Sequence, residues 1–530
     1  MNEKTRKIGK SAGIMTLATG LSRILGLVRD QLNAALFGAG MISDAFYVAY
    51  RIPNMFRDLL AEGALSSAFV PAFTDYINKG GKEEGYRLAN IVLSVLCILF
   101  SILIILVYLF TPLLIKVIAP GFALEGVRLA VLLTRILFPF IAFMGFATVI
   151  MGMLNSEGHF TVPALAPAAG NIVMIITGWQ LCPLFSGKQE AQVLLWSFGA
   201  LVSGLVQLLI QLPVIYKKGF KIKFSLNFRE PGIRQMARVM APAIFSNSIG
   251  QINVVFVNTF LASLLGAGVI SYVYYGFRLM QLPIGLFGVA IATASFPMFA
   301  SFISQGRTAD AKETISASAR LSLFITLPAT LGLVTLSYRV TDLLFRHGNF
   351  TEEAARATSV ITIYYALGLS LFSLNKILTP AFFALKRSAI PVLCGITAIV
   401  TNIFFSIMLM DSLNYAALPL ANTLSTLINF LLLYYFLRKV LGPLGGKSIL
   451  KTFWKVLLAS SLMALIVWGS AEGLALLMPK ISLSQRLLTV FIPIGLALPV
   501  YLFLARLLKI EESRMFSEAI YNRFKRRVGN

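Results

Sequence analysis

Residues 22–73 read SRILGLVRDQLNAALFGAGMISDAFYVAYRIPNMFRDLLAEGALSSAFVPAF, placing Arg23, Arg29, Asp30, Asp44, Arg51, Arg57 and Glu62 in a stretch otherwise apolar enough to enter a bilayer. A guanidinium at the centre of a membrane helix costs about 2.5–3.5 kcal/mol on insertion scales, so a group of them is expected only around a water-filled cavity or a polar cargo. The stretch thus reads as membrane-embedded helix whose charges are there to hold something.

The rest of the chain agrees. Its 530 residues are 57% hydrophobic and 13% charged, with a mean hydropathy of +0.81, and apolar runs recur throughout. Strands of a membrane barrel alternate over about ten residues, whereas these runs last about 20 or more, so the fold class is an all-α polytopic membrane protein. Hydropathy spaces about 14 transmembrane helices, the first at 8–37 and the last at 484–508. An even number puts both termini on one side. Roughly 31 Lys and Arg fall in the tails and loops of that side, including the Lys79–Arg87 and Lys217–Arg238 clusters, against about 8 opposite, which makes it the cytoplasm by the positive-inside rule. Most of the net +24 is therefore topology and attraction to lipid headgroups, and no nucleic-acid partner is expected. Seven cations remain inside helices: Arg23, Arg29, Arg51, Arg57, Arg135, Arg278 and Lys376.

Enzyme chemistry finds little support. His159 and His347 lie in loops on opposite sides, and neither a GxxxxGK[ST] loop nor an HExxH helix is present. Cys97, Cys182 and Cys394 sit apart in apolar segments and read as small buried hydrophobes. No catalytic residue, metal site, cofactor or removable signal peptide is expected.

A repeat is visible. ALFGAGMISDAFYVAY at 35–50 aligns with SLLGAGVISYVYYGFR at 263–278, offset by 228 residues, and SSAFVPAF ending at Phe73 resembles TASFPMF ending at Phe299. Six helices separate the copies, so they cross the membrane in the same direction. That predicts two six-helix lobes related by a pseudo-twofold along the membrane normal, with a central site and alternating access. The expected domains are an N-lobe at 1–218, a C-lobe at 219–440 and two terminal helices with a basic tail at 441–530.

Facing lobes would bring Arg23, Arg29, Arg51 and Arg57 together with Arg278. Guanidinium groups bind phosphate bidentately and stay charged, so a phosphate or diphosphate is the matching cargo, with Asp30, Asp44 and Glu62 orienting the arginines. The plainer alternative is local neutralisation: Arg29 by Asp30, Arg57 by Asp58, and Arg51 reaching the membrane surface. Pro53 and Pro283 occupy similar places in the two copies and would kink their helices, as static bends or as gating points.

SRILGLVRD, SDAFYVAYRIPN and AEGALSSAFVPAF, with YYGFRLMQLPIGLFGVAIATASFPMF at 274–299, resemble the signatures of the MurJ/MviN family, the lipid II flippases of bacterial cell-wall synthesis. The resemblance implies the fold of the multidrug/oligosaccharidyl-lipid/polysaccharide exporter superfamily, with the two terminal helices forming a groove for a polyprenyl tail. It implies functional roles for Ser22, Arg23, Arg29, Asp30, Asp44, Arg57, Glu62 and Arg278, and places Arg51 where relatives can carry Lys. Some relatives have carboxylates in a sodium site near Asn258, Asn402 and Ser406; those residues are uncharged here. The implied partners are lipid II and membrane lipids, with cell-wall synthesis proteins as further candidates, for a monomer in the cytoplasmic membrane. Rival readings are a flippase for another polyprenyl-diphosphate-linked glycan, a membrane enzyme acting on polyprenyl diphosphates, and a scaffold. Such an enzyme would usually place acidic metal-binding or catalytic residues in loops at one membrane face, where no dense cluster appears, and a scaffold gives no reason for buried arginines.

Overall fold

The computed structural model describes residues 3–59, 65–251, 253, 257–478 and 482–513; Glu62 lies outside them. Every regular element among the described residues is helical. Nine of these helices are long and apolar enough to cross a membrane, ten if the bent pair Glu352–Leu367 and Leu369–Ala384 counts as one span. Two of the nine, Ser66–Ile118 and Ala389–Leu441, run for 53 residues. At 1.5 Å per residue each is about 80 Å long, over twice the hydrocarbon thickness, so neither is one straight crossing. The first breaks at Gly81, whose φ of 79° and ψ of −178° suit only glycine.

Contacts divide the chain into two compact units, residues 1–271 with 347–351, and residues 272–346 with 352–530. The first contains α1 (Glu3–Phe37), α2 (Met41–Phe56), α3 (Ser66–Ile118), α4 (Leu124–Leu137), α5 (Phe140–Ser156), α6 (Thr161–Ile176), α7 (Gln189–Leu209), α8 (Leu212–Lys217), α9 (Pro231–Gln251) and α10 (Asn258–Leu264). Here α1 packs on α6, α6 and α5 on α7, α2 on α4, and α3 on α5 and α9. Small residues allow the close approach: a Cβ on Gly145 of α5 would stand 2.3 Å from the Phe100 ring of α3. This unit reaches past residue 218 because α9 lies against α3.

α11 (Val269–Pro283) begins at the end of the first unit, and the second holds α12 (Val289–Ser304), α13 (Thr308–Phe345), α14 (Glu352–Leu367), α15 (Leu369–Ala384), α16 (Ala389–Leu413), α17 (Ala417–Leu441), α18 (Gly446–Leu477) and α19 (Leu483–Leu507). The α18–α19 hairpin packs on α13 through Val456, Met463 and Tyr501 against Leu323, Phe324 and Leu327. It is also tied by polar contacts. Glu512 accepts from Arg320 Nε at 2.9 Å, Tyr501 Oη donates to the Phe324 carbonyl at 2.6 Å, and Arg486 meets Asp342 at 3.1 Å. Cys182 and Cys394 are buried as expected, but Cys97 is exposed, because its position on α3 faces away from the protein, where an apolar side chain needs no cover.

Candidate functional site

Ser22 and Arg29 are seven residues apart, two helical turns, and so share a face of α1. Asn171 of α6 stands against that face. Its Nδ2 donates to the Ser22 carbonyl at 3.0 Å, and its Oδ1 accepts from Arg29 Nη1 at 3.3 Å. Arg29 also donates through Nε and Nη2 to Asp30 Oδ1, at 3.0 and 2.7 Å. Both charges are largely withdrawn from solvent, with 17% of the Arg29 side chain and 3% of Asp30 accessible. Asn171 is not among the residues the sequence reading singles out, although an amide in the apolar run NIVMII is a visible signal. Arg23, on another face of α1, is exposed.

Pro53 lies inside α2, and the chain widens into a π-helical turn at residues 57–59; Pro283 ends α11 and is followed by a π-helix at Ile284–Gly288. Proline removes one rung of the hydrogen-bond ladder, and a π turn absorbs the misfit. The two proline sites therefore behave alike locally.

Beyond Pro53, Arg57 donates to Asp58 Oδ1 from Nη2 at 2.9 Å, and Asp58 Oδ2 accepts from Gln251 Nε2 at 3.1 Å. Before it, Arg51 Nη1 donates to Thr259 Oγ1 at 2.8 Å. The local pairs Arg29–Asp30 and Arg57–Asp58 thus form, but neutral groups on α6, α9 and α10 also hold these side chains in place. Arg51 is held against α10 by its contact with Thr259. Arg278 belongs to the second unit, where its Nη1 makes a long 3.5 Å hydrogen bond to Gln281 on its own helix. Among the other embedded cations, Arg135 donates from Nη2 to the Tyr108 carbonyl at 3.0 Å.

Asp44, expected among the carboxylates that orient the arginines, takes its hydrogen bonds elsewhere. Buried at the start of α2, it accepts from Gly268 N at 2.6 Å, Ser271 N at 2.8 Å and Ser271 Oγ at 2.5 Å. Those amides open α11, so a carboxylate caps a helix N-terminus, where orphan donors and the helix dipole both favour it. Two further contacts join distant turns nearby: Asn349 N donates to the Ala35 carbonyl at 2.8 Å, and Gly121 N donates to Ser263 Oγ at 3.2 Å. Gly348 and Gly121 are pressed so close to Ala35 O and Ser263 O that a Cβ would stand 2.4 and 2.0 Å away. The loops that odd-numbered connections of the predicted topology would form therefore meet at one end of this unit.

The even-numbered connections meet at the other end, around two buried carboxylates. Glu157 accepts from Tyr86 Oη at 2.8 Å and lies 3.2 Å from Lys218 and 3.5 Å from Lys82. Glu230 takes Arg87 through Nη1 and Nη2 at 3.0 and 3.1 Å, and Tyr76 Oη at 2.9 Å. Burial alone would raise both carboxyls. Hydrogen bonds from Tyr86 and Lys218 at Glu157, and from Arg87 and Tyr76 at Glu230, outweigh it and hold both below the usual range. Between them, residues 220–227 run without helix along α3.

Comparison with known proteins follows the same lines. The family model described as "Lipid II flippase MurJ" matches residues 33–485. The "Probable lipid II flippase MurJ" of Vibrio cholerae serotype O1 is 33% identical over 520 residues, 96% of this chain and 97% of that protein. The "Lipid II flippase MurJ" of Burkholderia cenocepacia is 32% identical over 427 residues, 79% of this chain and 82% of that protein. Among solved structures, "Lipid II flippase MurJ, inward closed conformation" superposes with a TM-score of 0.76 at 28% identity, covering 93% of this chain and 99% of that one. An inward-facing multidrug resistance MATE family transporter of the MOP superfamily, 16% identical with a TM-score of 0.69 over 80% of this chain and 95% of that one, shares the fold.

Proposed function

Because this chain belongs to the lipid II flippase MurJ family, we propose that it carries lipid II from the cytoplasmic to the outer leaflet of a bacterial cytoplasmic membrane. It is a multi-pass membrane transporter and not an enzyme: flipping makes and breaks no covalent bond.

The observation that carries the reading is the way Arg29 and Arg51 are fastened. Asn171 and Thr259 are uncharged and fix each guanidinium in direction: Asn171 holds an Arg29 that is also paired with Asp30, and Thr259 holds Arg51. Asp44 is occupied at the start of α11 and does not serve as a counter-ion for them. Guanidinium groups fixed in a helical wall are suited to a diphosphate, which accepts paired N–H donors. In this reading Arg23, Arg29, Arg57 and Arg278 grip the diphosphate of lipid II, with Ser22 and Arg51 contributing and Asp30, Glu62, Pro53 and Pro283 supporting.

An N-lobe at 1–218 and a C-lobe at 219–440, together about twelve of 14 helices, would rock about the contacts of Asp44, Ala35 and Ser263, with both termini cytoplasmic. The α18–α19 hairpin would leave the prenyl tail in lipid beside it. A potential negative inside favours outward movement of negative charge by about 2.3 kcal/mol per charge per 100 mV, which biases the cycle without ATP. Proteoliposomes loaded with labelled lipid II, beside a different polyprenyl-linked sugar, test this reading. Selective, potential-stimulated movement of lipid II is expected; equal movement of both lipids points to another glycan carrier, and movement of neither removes the transport reading.

A further inference from the structure

Three features of the segment between α8 and α9 converge on a membrane-surface role. First, its conformation and depth are set by side chains of α3. Asn90 Nδ2 donates to the Lys221 carbonyl at 3.0 Å, Lys223 N donates to Asn90 Oδ1 at 2.9 Å, and Ser225 N donates to Ser94 Oγ at 2.9 Å. Residues 88–115 of α3 carry no charge, so this stretch is its bilayer-crossing part. Ser94 lies six residues into it, about 9 Å along the helix axis. Headgroup layers add about 5–7 Å on each side of the hydrocarbon, so this depth reaches just past the boundary between headgroups and acyl chains.

Second, the segment alternates with a period of two, as an extended chain must if its faces differ. Ile222, Phe224, Leu226 and Phe228 are 53%, 71%, 44% and 59% exposed, and Lys221, Lys223, Ser225 and Asn227 occupy the other positions. Third, the surroundings are basic. Lys217, Lys221, Lys223 and Arg229 are exposed, while Lys218 is taken up by Glu157.

We propose that residues 217–229 form a surface anchor lying in the headgroup layer, with the even-numbered apolar side chains dipping toward the acyl chains and the exposed cations on anionic lipid headgroups. Four large apolar side chains held at that depth fit an acyl boundary, and the cations beside them match negative headgroups in sign. The inference stands whether or not lipid II is the cargo.

The test uses the full-length chain with Cys97, Cys182 and Cys394 replaced by Ala. Single spin labels are placed at Lys221→Cys, Ile222→Cys, Lys223→Cys, Phe224→Cys, Leu226→Cys, Asn227→Cys and Phe228→Cys, in nanodiscs of phosphatidylcholine with or without phosphatidylglycerol. Because every site carries the same label, the label's own apolarity cancels. Collision with oxygen should exceed collision with a water-soluble nickel chelate at 222, 224, 226 and 228, the reverse should hold at 221, 223 and 227, and phosphatidylglycerol should deepen the contrast. Nickel access at all seven sites equal to that of a Lys82→Cys label overturns the proposal. Alternation that ignores phosphatidylglycerol overturns the assignment to anionic headgroups.

Discussion

The carboxylate of Asp44 and the hydroxyl of Ser271 meet at 2.5 Å, and the same carboxylate accepts the backbone amides of Gly268 and Ser271. Ser43, beside Asp44, is the residue that aligns with Ser271 across the 228-residue repeat, so the two copies touch through corresponding turns. Hydrogen bonds to a charged group contribute about 1.5–3 kcal/mol each. Asp44→Ala should therefore loosen this end of the first unit by tenfold or more. The measurement is hydrogen exchange of the Gly268 and Ser271 amides, with Asp44 intact and with Asp44→Ala; equal rates would remove the cap from any gating role.

Steric closeness makes a companion prediction at the same end. Gly121→Ala places a Cβ 2.0 Å from the Ser263 carbonyl oxygen, which forces the loop to move. Transport should fall several-fold, while Gly219→Ala, where nothing lies within 4 Å of the added Cβ, serves as a milder control strained only by its φ of +99°. The comparison is made by initial rates in proteoliposomes at matched protein density.

Asn171 is predicted to matter through Arg29. Removing a hydrogen bond to a charged group costs about 1.5–3 kcal/mol, so Asn171→Ala should reduce lipid II movement tenfold or more with normal expression. Arg29→Ala should reduce it further while leaving a measurable rate, and the double variant should be no worse than Arg29→Ala alone. Additive losses would mean that Asn171 acts independently of the arginine. Thr259→Val removes the acceptor from Arg51 at nearly constant volume and should give a loss similar to that of Asn171→Ala.

At the basic end, pH offers a separate handle. Glu230 is held below the ordinary carboxyl range in the folded chain, burial being outweighed by Arg87 and Tyr76, so the folded state binds its proton less readily than the unfolded state. Its contribution is fully present above the unfolded value of about 4.3 and is lost as pH falls through the depressed folded value. Hydrogen exchange of residues 218–230 in the original chain and in Glu230→Gln should differ most at neutral pH and converge in acid. A difference independent of pH would rule out the ion pair as its source.

The terminal hairpin gives a stability prediction. Glu512 is 4% accessible and Arg320 13% at their 2.9 Å contact; Arg320 also meets Glu313 at 3.1 Å, so removing Glu512 costs less than the about 3–5 kcal/mol of a buried charge left with no partner. Glu512→Ala should lower the unfolding temperature in detergent clearly. Replacing both residues, as Arg320→Met with Glu512→Leu, should recover most of the loss, because no charge is then left buried alone.

Helical class, membrane residence, the grouping of loops by charge and the repeat can all be read from the chain, because each depends on residues close in sequence or on a motif written twice. The embedded arginines are equally visible, since a charge in an apolar run needs no structure to be noticed. Only the tertiary structure decided what holds them. Asn171 and Thr259 reach Arg29 and Arg51 across 142 and 208 residues of chain, Gln251 reaches Asp58, the partner of Arg57, across 193, and Asp44 is assigned to a helix start 224 residues away. Which polar side chain meets which guanidinium depends on which helices pack side by side, and local periodicity fixes the face a residue takes without naming the helix opposite.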